Sequence, residues 1–115
     1  MSEKIMVCTV RPGEEPVMEE IEDTLEAMQR LVGGYIEVVK PWGNDIALIC
    51  NEEGKLQKLT PNRVILRNDG RPFDLICGTF FLVMAPRNCD VFMSLPRMMM
   101  ARCLPLMTME DGECL

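Results

Sequence analysis

Leu25–Leu56, LEAMQRLVGGYIEVVKPWGNDIALICNEEGKL, is the stretch whose reading decides the fold. Its first third has helical spacing: Leu25, Met28, Leu31 and Val32 share one apolar face. Asp23 or Thr24 supplies a cap, and Glu26, three residues after Asp23, fits a capping box. Gly33-Gly34 offers the left-handed residue that closes a helix. From Tyr35 the period changes to two, with Tyr35, Glu37 and Val39 on one side and Ile36 and Val38 on the other. Pro41–Asp45 is turn chemistry, Ile46–Cys50 returns as a strand, and Asn51-Glu52-Glu53-Gly54 turns again, with Gly54 expected at positive φ. Helix and then hairpin is the reading.

Outward from this centre the pattern is β. Lys4–Val10 is apolar on both alternating faces, as an interior strand requires. Val17–Glu22 is an acidic strand suited to a sheet edge, where charge discourages pairing with another chain. Val64-Ile65-Leu66 is a brief strand before the turn Asn68-Asp69-Gly70. Phe73–Met84, FDLICGTFFLVM, is the most hydrophobic run, and Gly78 inside it marks a bulge or a close backbone contact. Ser94 can cap a Met-rich helix that has Pro96 in its first turn and continues toward Pro105. The expected fold is α+β: an antiparallel sheet of four to six strands with one central helix packed on a face. Residues 1–85 form the core domain, and 86–115 a Met-rich helical or partly disordered extension.

Blocks within this order resemble a known family. LEAMQRLVGGYIEVV, ALICNEEGKL, PNR and an aspartate followed by GTFF are similar to the domain-of-unknown-function family 3846 over roughly residues 3 to 84. Members of that family are small proteins encoded largely by phages, plasmids and other bacterial mobile elements. The resemblance implies a genomic setting and carries no assigned activity or catalytic residue.

At 115 residues, 48% apolar and 26% charged, the chain is one ordinary globular domain rather than a disordered one. A net charge of −6 argues against direct, unspecific nucleic-acid binding. The charge is uneven. Glu3, Glu14, Glu15, Glu19, Glu20, Glu22, Asp23 and Glu26 meet only Lys4 and Arg11 in the first 26 residues, whereas bases outnumber acids from Lys55 to Arg102. Cys8, Cys50, Cys77, Cys89, Cys103 and Cys114 contain no CxxC pair and there is no histidine, so neither a disulfide framework nor a zinc site is expected. Free thiols and the lack of a secretory start point to a reducing cytoplasm. The longest apolar run falls short of the ~18 residues of a membrane span.

Catalytic chemistry is not signalled. No phosphate-binding glycine loop occurs, and the carboxylates Glu37, Glu52, Glu53 and Asp74 are of types too common to mark an acid–base or magnesium site. No catalytic residue, metal or cofactor is assigned, and the chain is read as a non-enzyme. Two binding functions remain. In the first, the acidic block, specifically Glu14, Glu15, Glu19, Glu20 and Glu22, docks on the basic nucleic-acid-binding surface of a protein partner, such as a host defence protein. In the second, Arg63 and Lys55 hold the phosphates of a nucleotide signal, with Asn51, Glu52 and Asn62 nearby and Tyr35 or Trp42 under the base. Self-association into a homo-oligomer is open under both.

Overall fold

The computed structural model describes residues 3–43 and 45–109. Asn44 in the expected turn, Cys114 and the end of the expected extension lie outside the described residues. Among the described residues eight strands form, β1 Lys4–Val10, β2 Val17–Glu22, β3 Ile36–Val39, β4 Ile46–Asn51, β5 Pro61–Leu66, β6 Pro72–Cys77, β7 Phe80–Met84 and β8 Met107–Met109. Two short helices accompany them, α1 Leu25–Val32 and α2 Arg97–Cys103, with a 3-10 turn at Leu104–Leu106.

The strands make two antiparallel sheets. One has five strands in the order β2-β1-β7-β4-β3 and the other three in the order β6-β5-β8. This corrects the expected α+β class: the protein is mostly β, and no central helix packed on a sheet face organises it. The physical reason lies in Phe73–Met84. That run is two strands, because Gly78, expected at a bulge or close backbone contact, adopts φ +84° between β6 and β7 and sends them into different sheets. A side chain there would also collide with Leu59, whose Cδ1 lies 2.7 Å from where a Cβ would stand.

β4 and β7 are the middle of the large sheet, and their sequences IALICN and FFLVM are buried almost throughout. Such continuous apolarity fits a sheet covered on both faces. Cys8, Val10, Leu48, Phe80 and Leu82 look toward the second sheet and share a core with Trp42, Ile65, Ile76, Leu95, Cys103 and Met107. Val7, Ala47, Ile49, Phe81 and Val83 point the other way and are buried with Met28 and Val32 of α1. That helix has eight residues. Thr24 is its cap, accepting the Ala27 N–H at 3.1 Å, and Gly33 closes it at φ +82°.

The carboxyl-terminal half of the Met-rich segment is ordered by contacts the pattern does not encode. Ser94 caps nothing; its Oγ accepts the Met6 N–H at 2.9 Å, and Pro96 takes the cap position of α2. β8 then pairs with β5, Val64 opposite Thr108 and Ile65 opposite Met107. The two sheets are tied at Asn62, 2% exposed, whose Nδ2 donates to Val10 O and Gly78 O at 2.9 Å each.

Candidate functional site

Three places combine exposure or a cavity with polar side chains. The first is the free edge of β2. Among the described residues only β1 pairs with this strand, so its outer side is a free sheet edge. Glu14 and Glu15 lie exposed in the preceding loop, and Glu20 and Glu22 are exposed on the strand. Glu19 alone of these acids has an ion pair among the described residues, with Arg11 at 2.8 Å. Burial works against the Glu19 carboxylate, yet the nearby Thr9 hydroxyl and the hydrogen bond and charge of Arg11 hold its pKa below the usual carboxylate value. The five acids of the sequence reading therefore follow one another along a single edge.

The second place surrounds the Asn51–Gly54 turn. Asn51 is 5% exposed and is consumed by structure. Its Nδ2 donates to Val32 O at 3.2 Å and to Gln57 Oε1 at 3.4 Å, while its Oδ1 accepts the Glu53 N–H at 2.7 Å. Gly54 does not have the expected positive φ. It is glycine because a Cβ would stand 2.7 Å from Cys77 O. A cavity of about 370 Å³ opens beside this turn over Glu37, Cys50, Lys55, Asp74 and Cys77, and one of about 260 Å³ over Gln29, Tyr35, Glu52 and Gln57. Lys55 donates to Asp74, and that hydrogen bond raises the Lys55 pKa. Burial, reinforced by the Glu37 charge, pushes the Cys50 thiol up to about 12. At neutral pH the ammonium stays charged and the thiol stays protonated, so neither is primed as a nucleophile.

The third place holds Arg63, which is 3% exposed on β5. Its Nη1 donates to Asn62 O at 3.2 Å and Asn62 Oδ1 at 2.8 Å, and its Nη2 donates to Glu14 O. It borders a cavity of about 560 Å³ with Glu14, Glu15, Pro16, Met100, Leu104 and Met107.

The structure thus divides the proposed nucleotide-binding group. Tyr35, Asn51 and Glu52 border one cavity, Asn51, Glu52 and Lys55 its neighbour, and Arg63 a separate one. Trp42 is 5% exposed in the core, with its Nε1–H donating to Leu66 O at 2.7 Å. Asn62 is buried as the tie between sheets.

Against known proteins, residues 4–107 match the model of the Domain of unknown function (DUF3846) family. The chain belongs to the DUF3846 family. No curated protein and no solved structure matches it. The DUF3846 match runs beyond Ala85 through α2 to the start of β8. In this DUF3846 protein the blocks that carry the sequence resemblance include joints: Gly33 ends α1, Asn51 and Gly54 shape a turn, and Asn62 bridges the sheets. Sequence reasoning missed the company Arg63 keeps with Met100, Leu104 and Met107. A signal was there, since a charged arginine stands directly before the apolar run Val64-Ile65-Leu66. No helix among the described residues is long and apolar enough to cross a membrane.

Proposed function

We propose that this protein is a non-enzymatic interaction domain that docks through the β2 edge on a basic surface of a partner protein. The observation that carries the reading is the acidic row itself. Glu14, Glu15, Glu20 and Glu22 are exposed and have no ion pair among the described residues. Charge on an edge strand also serves to prevent unwanted strand pairing. A partner adds to that role, because clustered like charge steers a cationic surface into register and speeds encounter. The mobile-element setting suggested by the family resemblance makes a host defence protein with a nucleic-acid-binding surface the partner to look for, and the free thiols among the described residues favour the cytoplasm as the compartment. The nucleotide reading has less support, because its residues border different cavities.

The test is cross-linking with mass spectrometry on complexes formed in a host lysate, using the parent and the Glu15→Lys, Glu20→Lys, Glu22→Lys variant. Cross-links should concentrate on residues 14–22, weaken with added salt and vanish in the variant while its melting temperature holds. Partners that survive the reversal, or cross-links that map elsewhere, would overturn the reading.

A further inference from the structure

Among the described residues, Arg63 is a buried cation without a counter-ion. Its hydrogen bonds go to Asn62 O, Asn62 Oδ1 and Glu14 O, all neutral oxygens, and no carboxylate of the described residues pairs with it. Burying a guanidinium is costly unless an opposite charge offsets the lost hydration, and three carbonyl-type acceptors do so only in part. A guanidinium has five N–H donors. Nη1 is committed twice and Nη2 once, so Nε–H and one Nη2–H have no acceptor among the described residues. A guanidinium offers its remaining N–H donors to a carboxylate as charge-assisted hydrogen bonds.

The cavity that Arg63 borders is chemically split. Pro16, Met100, Leu104 and Met107 give it an apolar wall, and Glu14 and Glu15 stand at its border. Its volume, about 560 Å³, lies in the range of small-molecule sites. Methionines suit such a wall because their unbranched chains adjust to the shape of what they cover. The two glutamates disfavour a dianion such as a phosphate monoester but tolerate a single negative charge placed on Arg63.

We infer that this cavity is a binding site for a small monoanionic carboxylate with an apolar tail, its head on the Arg63 guanidinium and its tail along Met100, Leu104 and Met107. The site shares Glu14 and Glu15 with the proposed docking edge, but the inference does not rest on that reading. Octanoate is the probe, with acetate, octanol and inorganic phosphate as comparisons, measured by titration calorimetry and thermal shift on the full chain. Octanoate should bind saturably, one per chain, while acetate, octanol and phosphate each bind at least tenfold more weakly. Leu104→Glu, which leaves Arg63 in place and puts a like charge where the tail lies, should weaken octanoate tenfold or more with the unliganded melting temperature kept. Arg63→Met should abolish binding; if that variant fails to fold, Leu104→Glu decides. Glu15→Gln should tighten octanoate a few-fold by removing a nearby negative charge. Octanol binding as tightly as octanoate, non-saturable binding, or unchanged affinity in Leu104→Glu would each overturn the site.

Discussion

Asn62 shows how much one side chain can hold. Its amide gives both visible donors to carbonyls of different elements and accepts from Arg63 Nη1 as well. Asn62→Leu keeps the volume and leaves Val10 O and Gly78 O without those donors in a site 2% exposed. Each orphaned group costs about 1–3 kcal/mol, so the variant should lose more than about 2 kcal/mol in urea unfolding. The surface pair Lys55–Asp74 stands at the other extreme, with side chains 59% and 41% exposed. Asp74→Asn should change stability by less than about 1 kcal/mol. Thiols divide in the same way. Cys89 is exposed while Cys8, Cys50, Cys77 and Cys103 are buried. An aromatic disulfide reagent should modify Cys89 in the native protein quickly, and Cys89→Ser should remove one equivalent of the fast phase; reaction of the other four should await unfolding.

At the level of elements, the decisive residue is Gly78. Gly78→Val combines a positive φ with a clash against Leu59, and should cost about 2 kcal/mol or more while separating β6 from β7 less cleanly. Gly33→Val has open space around it and suffers from backbone strain alone, about 1 kcal/mol, because φ is +82°. Calorimetry on the two variants orders them. The strands β1, β2 and β4, and the helix between Thr24 and Gly33, were legible because each carries its own periodicity and its own stop signal. Partnership was not legible. Alternation in Phe73–Met84 reports which faces are apolar and says nothing of which strand lies alongside, so the run does not reveal that its two halves join different sheets. Met107–Met109 has too few residues to show a period, and its extended form is imposed by the open edge of β5. The acidic edge could be read, since charge sets its exposure directly. The Arg63 cavity could not, because its wall comes from residues about forty positions away.

For the molecule as a whole, the two sheets share a core that includes titratable thiols. Burial, with the Cys103 charge, pushes Cys8 up to about 12, and burial takes Cys103 to about 11; Cys50 is at about 12, all from an ordinary 9.0. Unfolded, these groups lose their protons near 9; folded, they keep them two to three units longer. The stability they confer is complete below that lower value. It declines as pH rises toward 11 to 12, because over that window the unfolded chain binds fewer protons. Urea midpoints measured across this window should fall with pH, and Cys8→Ala should show a shallower slope whatever its absolute stability.

The pairing of β8 with β5 also fixes an order of events during synthesis. Thr108 Oγ1 reaches Val64 O across 44 positions, so the ribosome exposes β5 long before its last neighbour exists. The large sheet has all five strands once Met84 has emerged, whereas the small one waits for Met107 to cover Ile65. Until then a nascent chain offers an apolar strand with a vacant edge, the kind of surface that recruits chaperones or aggregates. Ribosome-stalled chains that have released residues up to 96 should be cut by protease within β5 and β6 and should hold a trigger-type chaperone. Chains released to 109 should resist the protease and let the chaperone go, which makes the final strand the latch of translation-coupled folding.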